Sequence, residues 1–127
     1  EFLWLSPYVV KALKRGHTVY AIEHLNHIRH EFLRMLGWEV SMHHDFKINL
    51  GKDYKFLEPL VSTEMWSHLM TTYDMSSYEA IWDALERLIL MYEVVCDRVG
   101  DALGYAYNRI EFHNVKQAVH TSRNDDL

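Results

Sequence analysis

The sequence predicts an all-α fold, a helical bundle of about five to six helices. Three observations carry that expectation. Apolar residues recur at helical spacing over two long stretches, one from Thr18 and one from Ser76. Alternation of apolar and polar residues, the mark of half-buried strands, is almost missing. Caps and breakers (Gly16, Pro59, Ser62, Gly104) bound the helical stretches and leave short connections. Helices joined this way bury their apolar stripes on one another.

The first helix is expected from about Ser6 or earlier to Lys14, with Ser6 as N-cap and Pro7 at the first helical position. The aromatic run before Ser6 could also be helical, which would put Pro7 inside it. The second runs from about Thr18 to Met42, with Ala21, Leu25, Ile28, Phe32, Met35 and Leu36 on its apolar face. "FKINLG" reads as extended or irregular, and "KDYKFLE" as a short helix stopped by Pro59. "STEMWSHLMTTY" is a further helix capped by Ser62, with Met65, Trp66 and Leu69 inward. Ser76 and Glu79 fit a capping box before the core pattern Ile81, Trp82, Leu85, Leu88, Ile89, Tyr92, Val95, Cys96, Val99, which Gly104 stops. A weaker helix covers about Tyr107 to His120. The expected domain is therefore 1–120, with 121–127 as a polar tail.

Composition bounds the function. The chain has 127 residues, enough for one domain, and 49% of them are hydrophobic, enough for a core. With 13 basic and 18 acidic residues and a net charge of -5, it is a poor non-specific nucleic-acid binder, which needs a basic face. Its apolar runs are too short to span a bilayer. The single cysteine, Cys96, permits no intrachain disulfide, which is compatible with a reducing cytoplasm. The opening "EFLWLSPYVV" has no initiator Met and no signal-like features, and its aromatics need a packing partner. The expectation is a domain cut from a longer protein, with Trp4 and Tyr8 facing what is missing. Trp38, Trp66 and Trp82 are expected in the core or at such an interface.

Of 9 histidines, six lie between His17 and His44. On a helix at about 100° per residue, Glu23, His27, His30 and Arg34 share roughly 60° of arc, opposite Leu25, Phe32 and Leu36. Three readings fit. The stripe could be a solvated face with Glu23–His27 and His30–Arg34 as i,i+4 neighbours. It could hold a metal, with Glu93, Asp97, Glu111 or His113 as partners, although Arg34 would repel a cation. Or it could wall a binding site, the carboxylate accepting a proton from a substrate hydroxyl. Lys52 and Lys55, a turn apart after Gly51, are candidate phosphate contacts or ordinary surface lysines. Arg29 falls near the apolar side and is expected to snorkel or meet an acidic partner. Cys96 reads as a buried structural thiol.

Several blocks in register, "EFLWLSPYVVKALKRG", "YAIEHLNHIRHEFLRMLGWEV", "FKINLGKDYKFLEPLV", "WSHLMTTYDMSSYEAIWDAL" and "LGYAY", resemble the C-terminal half of the aminoglycoside 6-adenylyltransferases, the streptomycin adenylyltransferase family. The resemblance covers about Glu1 to Tyr107. It implies a bacterial cytoplasmic enzyme that moves AMP from ATP to a streptomycin hydroxyl and so confers antibiotic resistance. ATP and Mg2+ would be held mainly by an N-terminal nucleotidyltransferase domain through a Gly-Ser motif and an Asp-x-Asp pair. This chain has neither, so it resembles the helical substrate-binding domain alone, expected to be inactive and to hold no cofactor by itself. By position, the family's acidic base falls on Glu23, a glutamate where the family carries aspartate. Tyr8, His27, His30 and Arg34 become candidates for contact with an aminoglycoside-like ligand, and Lys52 and Lys55, in a "GK-x-x-K" block, for the nucleotide phosphates. No metal ligand is implied here. The alternative is a non-catalytic helical module, either a metal-binding bundle or a partner subunit of a separate nucleotidyltransferase chain. Elemental analysis of the purified chain would separate the metal version.

Overall fold

The computed structural model describes residues 2–104 and 109–124. Five helices appear in order: α1 (Phe2–Lys14), α2 (Thr18–His43), α3 (Thr63–Thr71), α4 (Tyr78–Leu103) and α5 (Arg109–Asn124). Among the described residues there is no strand, so the all-α expectation holds. α1 packs on α2, α2 on α4, α4 on α5 and α5 on α1, and α3 leans on α4. The four longer helices therefore close a ring around one core. Val9 and Leu13 of α1, Leu25, Ile28 and Phe32 of α2, Trp82, Leu85 and Leu88 of α4, and Phe112 of α5 meet there. The predicted apolar faces of α2 and α4 are the ones buried, because side chains at helical spacing can only meet the core together.

Helix ends differ from expectation in four places. Ser6 is not an N-cap. α1 begins at Phe2, Pro7 lies inside it, and Ser6 is fully buried. Pro7 lies in the second turn and costs the helix one i→i−4 bond. The cap of α4 is Ser77, whose Oγ accepts from the Ala80 N–H at 3.0 Å. Ser76 turns back instead, its N–H and hydroxyl both donating to Asp74 Oδ1. Those bonds hold the Asp74 carboxyl below its usual pKa.

"KDYKFLE" is not a helix stopped by proline. A 3-10 turn covers Lys52–Tyr54, and a second, Glu58–Leu60, has Pro59 in its opening positions. Asp53 and Tyr54 are left-handed (φ 54° and 60°), which ends any right-handed helix there. Finally, α5 does not stop at His120. It continues to Asn124, and Arg123 near its end meets three carboxylates of α4: Glu79 at 3.0 Å, Asp83 at 2.7 Å and Glu86 at 2.9 Å. Partial burial alone would lower the Arg123 pKa. The bonds to Glu86, Asp83 and Glu79 outweigh it and leave the pKa raised. The expected start at Tyr107 and the last three residues lie outside the described residues.

Ser62 does cap α3, accepting from the Met65 N–H at 3.0 Å, and Gly104 ends α4 in the left-handed region (φ 73°). Trp82 is buried as expected, Trp66 half-buried against the core, and Trp38 exposed with its edge on Phe46.

Glu39 of α2 is a buried carboxylate on the core side of its helix. Its Oε2 lies 3.3 Å from Arg98 Nε, close enough for attraction, yet no hydrogen bond satisfies it among the described residues. Burial pushes its pKa up, against the opposing pull of Arg98 and His43. The folded chain thus keeps a proton that the unfolded chain has already released. Stability should fall as pH rises through the window just above the ordinary carboxylate range. Thermal melts between about pH 4 and pH 7 should show that slope, and Glu39→Gln should flatten it. An unchanged slope would place the titration on another group.

Candidate functional site

The polar side of α2 follows directly from its buried side. Ala21, Leu25, Ile28 and Phe32 take the core, so Glu23, His27 and His30 are left facing solvent. Glu23 is exposed, and among the described residues nothing hydrogen-bonds or ion-pairs with its carboxylate. The i,i+4 pair Glu23–His27 is not formed. A carboxylate with no internal partner keeps all its lone pairs for a ligand.

Beside Glu23 lies a group of rings that the sequence reading did not assemble. Tyr20 and His24 stack at 4.1 Å between centroids, 22° from parallel. Tyr8, from α1, lies 6.0 Å from His24, and His27 forms a T-shaped pair with His24 at 6.2 Å. Tyr8, expected with Trp4 to face what is missing, is exposed, and the Trp4 side chain lies outside the described residues. The ring neighbour of Tyr8, His24, however, was missed, because their contact crosses between helices sixteen residues apart in sequence. Tyr20 could have been found, since residues four apart stack on a helix. His24 Nδ1 lies 3.1 Å from the Tyr20 carbonyl oxygen, which can only accept. Nδ1 therefore carries the proton, and in the neutral ring Nε2 offers a free lone pair.

The stripe continues to a loop. His30 and Tyr54 form a T-shaped pair, 6.4 Å between ring centres. Gly37 of α2 lets that loop approach. A Cβ there would lie 2.9 Å from Leu50 Cδ1 and 3.2 Å from Tyr54 Cε1. Lys52 and Lys55 ride on this loop, both exposed. Lys52 has no partner among the described residues, and the Lys55 ammonium stands 5.2 Å from the Phe56 ring centre. Gly51 sets the turn with φ 78° and ψ 170°, a region open to glycine almost alone. A Cβ there would also press on Phe56 and Lys55 at 2.7 and 2.8 Å. Gly51→Ala should cost about 1–3 kcal/mol. The loss should be readable in urea melts and in faster amide exchange over residues 49–57. Unchanged exchange there would show that the loop does not depend on this turn.

Other predicted residues part from the group. Arg34 does not pair with His30; it sits 3.6 Å from Glu31 and lines a separate cleft with Trp38 and Tyr92. Arg29 meets no acid among the described residues. Nε and Nη2 both bond Thr72, and Nη1 bonds Asn26. A concavity of about 590 Å³ between α3, α4 and α5 touches none of the predicted residues. Burial pushes the Cys96 thiol up to about 11 and the Tyr92 phenol up to about 12, so neither ionises near neutral pH. Cys96 is a buried structural thiol, not a nucleophile. Glu93, offered as a metal partner, is bound to Lys116 at 3.0 Å. Among the described residues no three His, Cys, Asp or Glu side chains converge where an ion could sit. No described helix is long and apolar enough to cross a membrane.

Comparison with known proteins gives one answer. A family model described as streptomycin adenylyltransferase matches residues 1–121. An aminoglycoside 6-adenylyltransferase of Campylobacter jejuni is 40% identical over 108 residues, 84% of this chain and 38% of its own length. One from Bacillus subtilis (strain 168) is 35% identical over 108 residues, with the same coverage. The crystal structure of an aminoglycoside 6-adenyltransferase from Bacillus subtilis superposes with a TM-score of 0.85 at 29% identity, covering 98% of this chain and 48% of that one. The chain thus spans about two fifths of the length of the curated relatives it matches.

Proposed function

The chain belongs to the streptomycin adenylyltransferase family, and from that premise we propose that it is the acceptor-binding helical domain of an enzyme that transfers AMP from ATP to an aminoglycoside hydroxyl. The acceptor is of the streptomycin kind, and the activity would confer resistance. The observation that carries this is Glu23: an exposed carboxylate, without a partner among the described residues, in the middle of a face of histidines and tyrosines.

Glu23 is the general base. It takes the proton of the acceptor hydroxyl as that oxygen attacks the α-phosphorus of ATP, and pyrophosphate leaves with the electrons of the broken P–O bond. His27 and His30 orient the acceptor by hydrogen bonds and Tyr8 borders it, while Arg34, drawn to Glu31 and lining a separate cleft, takes no part in this wall. Lys52 and Lys55, on the Gly51 loop, are positioned to meet nucleotide phosphates. The nucleotide and its Mg2+ belong in this reading to a separate nucleotidyltransferase domain of the whole, cytoplasmic enzyme. In this reading the chain's part is proton transfer and positioning.

The net charge of -5 supports a polycationic acceptor. The test is the turnover of the whole enzyme carrying Glu23→Gln against that of the unmodified enzyme. Undiminished turnover would remove Glu23 from the mechanism.

A further inference from the structure

The rings beside Glu23 have a chemistry of their own. Tyr8 and Tyr20 are 53% and 49% exposed, which leaves each with an open face although both touch His24. Aromatic faces carry negative potential and attract cations lying over them. Glu23 adds a full negative charge on the same side of α2, three residues from Tyr20 and thus one turn away. With Nδ1 donating to the Tyr20 carbonyl, Nε2 of the neutral His24 ring is a hydrogen-bond acceptor. The tyrosine faces, the Glu23 carboxylate and this nitrogen can each accept positive charge or a donated hydrogen bond.

Among the described residues no protein cation fills the place. The two cation–ring contacts lie elsewhere, Arg29 on Tyr73 and Lys55 on Phe56. Arg34, on the same stripe, is three turns further along and drawn to Glu31.

We propose that Tyr8, His24 and Tyr20 form a cation-reading subsite, one that takes a guanidinium or ammonium group of the ligand over the tyrosine faces and so sets which hydroxyl is presented to Glu23. Tyr20 and Tyr8 make the contact and determine specificity. His24 is a positioning residue: stacked on Tyr20 and anchored through Nδ1, it holds the rings side by side. The biological meaning of the subsite rests on reading α2 as the acceptor wall. Its chemistry does not, and the two are tested separately.

The probe is butylguanidinium, with butylurea as its uncharged isostere, titrated into the 127-residue chain while the ring resonances of Tyr8, Tyr20 and His24 are followed by NMR. Butylguanidinium should shift these rings saturably and butylurea should not. Tyr20→Leu or Tyr8→Leu should weaken binding roughly 2- to 30-fold. Tyr20→Phe, which keeps the face and loses the hydroxyl, should retain it. His24→Ala should weaken binding and His24→Phe, which restores a ring to the stack, should recover it. Both tyrosines are exposed, so the leucine variants should keep the helical circular dichroism of the parent. Equal shifts with both probes would make this an apolar patch and overturn the proposal, as would no shift with either, or binding that survives both leucine variants. Streptomycin added in the same experiment separates the two readings. Rings that respond to butylguanidinium but not to streptomycin would leave the subsite standing and remove the proposed acceptor.

Discussion

Replacing Glu23 by glutamine should lower kcat by about 10²- to 10⁴-fold in the whole enzyme, the usual contribution of a general base. The amide fills the space of the carboxylate and still hydrogen-bonds a hydroxyl, but it cannot take the proton. The loss should therefore fall on kcat, and the acceptor KM should change much less. Glu23 is exposed and nothing among the described residues leans on it, so the variant should unfold within about 0.5 kcal/mol of the parent. Two further measurements keep the role distinct from simple binding. The acid limb of the kcat–pH profile should vanish in Glu23→Gln, because the group whose ionisation it reports is gone. Glu23→Asp should fall between the two, with the base retained and its reach shortened by one methylene. A Glu23→Gln enzyme that binds its acceptor worse but turns it over at the parent rate would make Glu23 a ligand contact and not the base.

The legible parts of the molecule were those fixed by short-range periodicity. The buried faces of α2 and α4 could be read because each is a repeat within one helix, and the same repeat necessarily put Glu23, His27 and His30 outside. What escaped was set by contacts far apart in sequence. Arg123 looked like part of a fraying tail, yet Glu79, Asp83 and Glu86, a ladder on α4, hold it 37 to 44 residues away. Glu79 was read as half of a capping box, and its actual use across the bundle belongs to that ladder. The shift of the cap from Ser76 to Ser77 is a contest between two adjacent serines that Asp74 decides by binding the first. The ring group at Tyr8, His24 and Tyr20 depends on the angle at which α1 meets α2, which no local pattern encodes. The Lys52–Lys55 loop was misread for a related reason. Left-handed residues at Asp53 and Tyr54 carry no strong sequence mark, and Gly37, which admits the loop, sits in another helix.

Arg29→Ala should destabilise the fold by about 2–4 kcal/mol, a large effect for a single polar side chain. Arg29 is 4% exposed, and it spans from α2 to the C-terminal end of α3. Nε donates to Thr72 Oγ1 at 3.0 Å, Nη2 to the Thr72 carbonyl, and Nη1 to Asn26 Oδ1 at 2.6 Å. The guanidinium also lies 4.1 Å from the centre of the Tyr73 ring. Burial lowers its pKa from a very high starting value, so the group stays charged at any ordinary pH. Its partners are neutral, and the charge is compensated by dipoles and a π face. Removing it would leave a void and strand the carbonyl of Thr72, a fully buried residue, without its donor. Arg29→Lys should recover less than half of the loss, because one ammonium cannot reproduce the planar fork that grips Thr72 and Asn26 together. The link to function is geometric. Arg29 lies between His27 and His30 in sequence but on the buried side of α2, so the clamp on Thr72 sets how the helix is rotated and where its polar face points. Arg29→Lys should therefore move the His27 and His30 ring resonances even where the chain remains folded. Stability and ring resonances that both match the parent in Arg29→Ala would mean that packing alone orients α2 and that the clamp contributes nothing to the wall.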